Sequence, residues 1–179
     1  MGGGLEKSAD QKELSLLILI LLADIGFVVS LMVHVSTFLD YNPSQAFYLL
    51  HAGIFLLFPW ISDKDRGNHS PKKFWLFVTR AAPAWMRILC ISLSGYALFN
   101  FFYTLLYLNE GGAPAKLDGV LVLHSHGHVI RELTDQEFQK HMAYVMRGFS
   151  AWWMFFYSAS MMIIYVRSVE PKRLPFSND

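Results

Sequence analysis

The sequence predicts an all-α integral membrane protein, a single membrane domain over residues 1–179 with four transmembrane helices. Its residues are 54% hydrophobic and only 16% charged, whereas soluble domains carry about a quarter charged residues. Its apolar runs can cross a bilayer core of about 30 Å at a rise of about 1.5 Å per residue. Lysine and arginine are also distributed unevenly between the connecting segments. The predicted spans cover residues 14–38, 44–61, 84–108 and 146–166.

The first span is expected to be a retained helix rather than a cleaved signal peptide. Three acidic residues precede it, Glu6, Asp10 and Glu13, and no small-residue cleavage site follows it. A turn then leads into the second span, where Asn42 can cap the helix and Pro43 fits the first turn. These two apolar segments therefore predict a pair of antiparallel spans.

The second and third spans are joined by a polar stretch and a predicted interfacial helix. We expect the second span to bend near Pro59, because a proline ring does not fit a straight helix interior. Residues 72–82 combine aromatic side chains such as Phe74 and Trp75 with basic residues that can reach lipid headgroups. Pro83 then opens the third span.

Residues 109–145 are predicted to form a folded excursion between spans three and four. It consists of a loop over 110–118, a β-hairpin over 120–133 and a helical extension of the fourth span. Thr134 and Glu137 have the spacing of a capping box, in which a hydroxyl and a carboxylate satisfy the first backbone N–H groups of a helix. No helix breaker separates this start from the fourth span.

The placement of basic residues predicts the orientation. The loop after the first span has no lysine or arginine, whereas the segment between spans two and three is rich in them. Cytoplasmic loops carry the excess of lysine and arginine. We therefore expect both termini to be cytoplasmic (N-in/C-in), the excursion to be extracytoplasmic, and the protein to lie in a bacterial cytoplasmic (inner) membrane.

Asp24 lies near the middle of the first span and is predicted to be a buried acid. Charged groups inside spans are costly and usually face protein. We expect Asp24 to be neutral at pH 7 and to bond to a hydroxyl or carbonyl group, with Tyr96, Ser158 and Ser160 at comparable depth. The functional alternative is a proton-carrying carboxyl group.

His34 and His51 are the candidate cofactor-binding residues. Both lie in the outer leaflet, within about one turn of the same depth. Two facing histidines hold haem b in membrane bundles, and one histidine can bind a chlorophyll-type pigment or contact a quinone. Small residues at helical spacing form one face with His34: Ala23, Gly26, Ser30 and Thr37. A structural histidine pair without a cofactor is the preferred interpretation.

Three histidines in the excursion, His124, His126 and His128, are the candidate metal ligands. On one extended strand they would share a face and could bind zinc or copper, with His141 or Glu137 as a further ligand.

The hairpin interpretation separates these histidines. A turn at His126 and Gly127 is favoured because glycine accepts a positive φ. It pairs Ser125 with His128, so that His124 and His128 lie on opposite faces of the hairpin. We prefer the hairpin to the metal site.

No sequence motif predicts an enzyme. Nucleophile, phosphate-binding, dinucleotide-binding and metalloprotease signatures are absent, and Cys90, the single cysteine, cannot form an intramolecular disulfide. A net charge of +1 gives no field that would attract nucleic acid. The predicted partners are the lipid bilayer and other membrane-protein subunits.

The predicted function is therefore that of a non-catalytic accessory or structural subunit of a larger membrane assembly. A bioenergetic complex, respiratory or photosynthetic, is the candidate host. The alternative is a small redox membrane protein that binds haem b, a chlorophyll-type pigment or a quinone through His34 and His51.

Overall fold

The computed structural model of the protein describes residues 3–39, 41, 45–54 and 71–169. Four α-helices and three β-strands have both ends within these ranges, in the order α1 Gly3–Ser36, α2 Pro71–Ala81, α3 Ala84–Tyr103, β1 Ala113–Leu117, β2 Val120–Ser125, β3 His128–Glu132 and α4 Asp135–Val169. A 3₁₀ turn, Thr37–Leu39, ends α1, and a π-helical turn, Thr104–Leu108, ends α3. Residues 45–54 are also helical.

Three helical segments are long and apolar enough to span a membrane: Leu14–Leu39, Ala84–Leu108 and Asp135–Val169. The first two agree closely with the predicted first and third spans, and the last contains the predicted fourth span within one continuous helix. The predicted second span is described only as far as residue 54, so its bend near Pro59 lies outside the described residues. The chain is thus described as a membrane protein with three membrane-length helices.

Helix α4 is the central helix of the described bundle. The protein itself buries 67% of the most apolar stretch of α4, whereas it buries only 22% of the corresponding stretch of α1 and of α3. Both α1 and α3 pack chiefly on α4. The described residues therefore leave most of the surface of α1 and α3 exposed, whereas they cover most of α4.

The contact between α1 and α4 depends on the predicted face of small residues. Ala23, Ser30 and Thr37 are completely buried, and Gly26 is buried between them. The ring of Tyr157 lies against Gly26 so closely that a Cβ there would overlap three ring carbons. Small residues let two helix backbones approach in this way, and the structure confirms this face.

The three strands form one antiparallel sheet in the order β1-β2-β3. The predicted hairpin is present: His124 pairs with Val129 and Ser125 with His128, as expected. The predicted loop over 110–118 is wrong, because most of it forms β1, which pairs with β2 through a turn at Asp118 and Gly119.

The helix after Pro71 agrees with the predicted interfacial helix, since α2 covers Pro71–Ala81. Its Val78 is buried and its Trp75 and Leu76 are exposed. An apolar outer side beside a basic residue, Arg80 in its last turn, suits a helix at a lipid interface.

Candidate functional site

The ring of His34 joins three helices inside the predicted membrane region. Its Nδ1 atom lies 2.8 Å from the Ser150 hydroxyl on α4, and its Nε2 atom lies 2.5 Å from the Tyr96 hydroxyl on α3. The histidine is buried at the end of the small-residue face of α1. Both ring nitrogens therefore have hydrogen-bond partners from the protein itself.

The neighbouring groups fix a consistent direction for these bonds. The Ser150 hydroxyl donates to the carbonyl oxygen of Arg147 at 3.2 Å, so it accepts the N–H of His34 Nδ1. The Nε2 atom then carries a lone pair and accepts the hydroxyl hydrogen of Tyr96. The result is a neutral chain that runs from Tyr96 through His34 and Ser150 to a backbone carbonyl.

Arg147 on α4 lies at the end of this site where α1 ends. Its Nη2 atom donates to the carbonyl oxygen of Thr37 at 2.6 Å, and its Nε atom donates to the Thr37 hydroxyl at 3.2 Å. Its guanidinium carbon lies 4.0 Å from the centre of the Phe38 ring. A cation suits the last carbonyls of a helix, so Arg147 fixes the end of α1 against α4.

His51 contacts α4 one turn further along that helix. The indole N–H of Trp153 lies 3.1 Å from His51 Nδ1 and 3.3 Å from Nε2, and it donates to one of them. The rings of Tyr48 and Phe149 pack against the imidazole. Both histidines thus form a hydrogen bond with α4, His34 with Ser150 and His51 with Trp153.

A cofactor ligated by either histidine would have to replace these bonds. A haem iron needs a free ring nitrogen, and His34 offers one only if Tyr96 or Ser150 moves away. A quinone carbonyl needs a donor, but the Tyr96 hydroxyl already donates to His34 Nε2. Either kind of cofactor would therefore have to displace a hydrogen bond that the described residues make among themselves.

Asp24 differs from the expectation of a buried acid. The side chain is exposed on the side of α1 that faces away from α4. It lies one position from buried Ala23, a rotation of about 100° around the helix. Tyr96 bonds to His34, and the hydroxyl of Ser158 donates to Phe155 O. No hydrogen bond or ion pair joins Asp24 to another residue of the described part of the chain.

The three histidines of the excursion do not converge. His124 lies on β2, His128 lies on β3, and His126 is in the turn with a φ of 50°. Among the residues that the structure describes, no group of three or more histidine, cysteine, aspartate or glutamate side chains is suited to a metal ion. His141, considered as a further ligand, instead accepts a hydrogen bond from Arg131 and donates one to Asn109.

A second polar network, around Arg131 on β3, connects the sheet to the start of α4. Its guanidinium binds Glu137 at 2.9 Å and Glu110 at 3.1 Å, and a third contact reaches His141 Nε2 at 3.3 Å. Since arginine can only donate, His141 Nε2 accepts, and its Nδ1–H donates to Asn109 Oδ1 at 2.8 Å.

The predicted capping box is part of this second network. The Thr134 backbone N–H donates to Glu137 at 2.9 Å, and the Glu137 N–H donates to the Thr134 hydroxyl at 3.3 Å. The bonds from Thr134, followed by that from Arg131, lower the pKa of Glu137 to about 2. The hydrogen bond from Arg131 lowers the pKa of Glu110 as well. Both carboxylates are charged at neutral pH.

Sequence reasoning missed Ser150 and Arg147 as partners of the first span. A signal was available, because Arg147, Ser150 and Ser158 interrupt the apolar run of the last helix at helical spacing. Polar groups inside a span usually face protein. The sequence alone does not state which groups of another helix they meet.

No protein-family model, no curated protein and no solved structure matches this chain. The function must therefore be argued from the site and from the outer surfaces of the helices.

Proposed function

We propose that the protein is a non-catalytic subunit that packs against other membrane proteins in a larger assembly. The observation that carries this proposal is the exposed position of Asp24, the one charged residue between positions 14 and 39. Lipid tails offer a carboxyl group no hydrogen-bond partner. A protein surface that covers this side of α1 supplies one.

The outer side of α3 supports the same proposal. Ser92 and Gly95 are exposed between large apolar side chains such as Ile88 and Phe99. A Cβ placed on Gly95 would meet nothing within 4 Å. Such a notch lets the backbone of another helix approach closely, so α3 offers a second contact surface.

We further propose the four-span topology, with both termini and α2 in the cytoplasm of a bacterial inner membrane. The basic residues before the third span support this orientation. The sheet then lies outside the cytoplasm, where with the first turns of α4 it forms a docking surface. A respiratory or photosynthetic complex is the proposed host.

Native electrophoresis of the tagged full-length chain tests the proposal, after extraction from its own membrane in two mild detergents. We expect an apparent mass above that of the isolated chain, with the same companion chains in a fixed ratio in both detergents. Asp24→Asn should keep this assembly, because an amide retains hydrogen bonding, and Asp24→Lys should lose it.

Ile25→Asn is the matched control, since Ile25 is exposed at nearly the same depth on another side of α1. It should leave the assembly intact. A wild-type chain that migrates as a monomer in both detergents contradicts the subunit proposal.

A second function, a redox protein that uses His34 and His51, has one observation in its favour. Both imidazoles lie on the same side of α4, at Ser150 and Trp153, among aromatic rings. The visible absorption spectrum of the purified protein separates the two functions. We expect no Soret band. A band that disappears in both His34→Ala and His51→Ala, with the fold retained, would replace the subunit proposal by the redox one.

A further inference from the structure

A continuous stripe of exposed residues runs along the side of α1 that contains Asp24. Its members recur at alternating steps of three and four: Leu14, Leu17, Leu21, Asp24, Val28, Leu31 and Val35. All seven are exposed. We call this set the α1 seam. The opposite side of the helix is buried against α4, so α1 has one covered side and one open side.

The spacing of the α1 seam is that of a helix-pairing surface. An average step of about 3.5 residues keeps a stripe facing one neighbour when two helices cross at about +20°, the geometry of left-handed coiled coils and most membrane bundles. An adjacent stripe of α1 has the same spacing, so the feature that distinguishes the α1 seam is the carboxyl group at its centre, which lipid contact does not require.

We propose that the α1 seam packs against the same seam of a second copy, forming a parallel dimer in which the two Asp24 carboxyl groups hydrogen-bond to each other. The inference rests on the proposed function, since it names the first protein surface that covers Asp24. The contact is isologous, as expected of a two-fold symmetric dimer.

Orientation favours a second copy over an unrelated helix. Copies inserted in one membrane share one orientation, so their α1 helices can pair in parallel. Asp24 then faces Asp24 at the same depth. A carboxyl group that holds its proton is both donor and acceptor, so the pair is self-complementary. A helix from another protein would need its own isolated polar group at that depth.

The aliphatic positions agree with a two-helix contact. In the heptad defined by the stripe, the first core position holds Leu14, Leu21, Val28 and Val35, and the second holds Leu17, Asp24 and Leu31. In the half of the stripe that contains Val28, Leu31 and Val35, a β-branched residue at the first position and leucine at the second favour parallel pairs over larger bundles. A single polar residue in a helix-pairing core can fix the register, and we assign that role to Asp24.

Cysteine cross-linking in intact membranes tests the contact. Single cysteines replace Leu17, Leu21, Val28 or Leu31 in a full-length Cys90→Ser background, and the membranes are oxidised. We expect disulfide-linked dimers at these four positions. Cross-linking should be severalfold weaker at an adjacent stripe of the same spacing and similar exposure, formed by Ile18, Leu22, Ile25 and Met32. Equal cross-linking on both stripes, or none on the α1 seam, overturns the dimer.

A charge exchange tests the pairing of the carboxyl groups. Two lysines cannot hydrogen-bond to each other, because each is only a donor, so Asp24→Lys should abolish cross-linking through Val28→Cys. Two differently tagged copies are then expressed together, one with Asp24 and one with Asp24→Lys. The acid and the base face each other, and we expect cross-linked mixed dimers to return. If mixed dimers are as scarce as those of Asp24→Lys alone, Asp24 does not face its own copy.

The two proposals fail separately. If the α1 seam does not cross-link but Asp24→Lys still reduces the native assembly, another protein covers Asp24, which overturns the dimer and leaves the subunit proposal standing. If the α1 seam cross-links and the native assembly contains nothing beyond two copies, the dimer stands and the larger assembly is wrong.

Discussion

The polar networks around His34 and around Arg131 solve the same packing problem with different chemistry. The His34 network joins α1, α3 and α4 through neutral bonds among an imidazole, two hydroxyls and a carbonyl. The Arg131 network joins β3 to α4 through a guanidinium and two carboxylates. The first lies in the predicted membrane region and the second lies beside the sheet.

The difference follows from the surroundings. Moving a charge out of water is costly, and an ion pair repays that cost only with very good geometry. Neutral bonds avoid the cost, and they stabilise most where no water competes for the donor or acceptor. Partly exposed ion pairs such as those of Arg131 contribute less to the stability of the fold. The stability that the His34 network provides should therefore depend on shape and on each hydrogen bond, whereas the stability that the Arg131 network provides should depend on pH.

The largest effect should come from filling the close contact between α1 and α4. In Gly26→Ala, the added methyl group overlaps the ring of Tyr157. That ring cannot move freely, because its hydroxyl donates to the carbonyl of Leu50 at 2.9 Å. Thermal unfolding in detergent should show that the free energy of unfolding falls by about 1–3 kcal/mol or more, the usual cost of overpacking.

Gly95→Ala is the matched control for that variant, since the same methyl group meets open space on α3. It should leave stability unchanged or raise it by about 0.5–1 kcal/mol, because alanine suits a helix better than glycine. Equal losses in both variants would mean that the close approach at Gly26 does not hold the bundle together.

A smaller effect should follow from removing one bond of the His34 network. Tyr96→Phe removes the donor to His34 Nε2, and we expect the free energy of unfolding to fall by about 1 kcal/mol, the net contribution of one hydrogen bond. Tyr103→Phe makes the same chemical change on the same helix, where Tyr103 stacks on Phe99 and Tyr107. It should change the free energy of unfolding by no more than about 0.5 kcal/mol. If Tyr96→Phe is as stable as Tyr103→Phe, the hydrogen bond to Tyr96 does not stabilise the protein, and the proposed contrast between the His34 and Arg131 networks is wrong.

The sequence predicts the helices better than their neighbours. The limits of the first and third apolar segments, the capping box and the pairing at His126 and Gly127 all follow from local rules of hydropathy, capping and turn chemistry. Strand β1 was missed although Asp118 and Gly119 form a strong hairpin signal. Pro114 in that stretch suggested a loop, but proline is tolerated on an edge strand such as β1.

The site was predictable only in part, because contacts between helices depend on rotation about each helix axis. His34 was identified from its small-residue face, and that face is indeed buried. Asp24 was assigned to the inside by a rule about buried charges, yet it lies about 100° from the face that meets α4. The hydropathy of a uniformly apolar helix carries no information on which side meets protein. That information resides in residue size.

The smallest expected effect is a pH dependence confined to the Arg131 network. Glu137, in the first turn of α4 before the predicted membrane part, has its pKa lowered from 4.5 to about 2, and the pKa of Glu110 is lowered too. Since the unfolded chain binds these protons more readily, the stabilisation is complete above about pH 4.5 and is lost as the pH falls towards 2.

Glu137→Gln keeps the capping geometry, because glutamine also suits that position, but it does not titrate. Unfolding midpoints measured from pH 6 to pH 2.5 should therefore fall less steeply in Glu137→Gln than in the wild type, and Tyr96→Phe should keep the wild-type slope. Parallel curves for wild type and Glu137→Gln would show that the carboxylates of this network do not stabilise the fold.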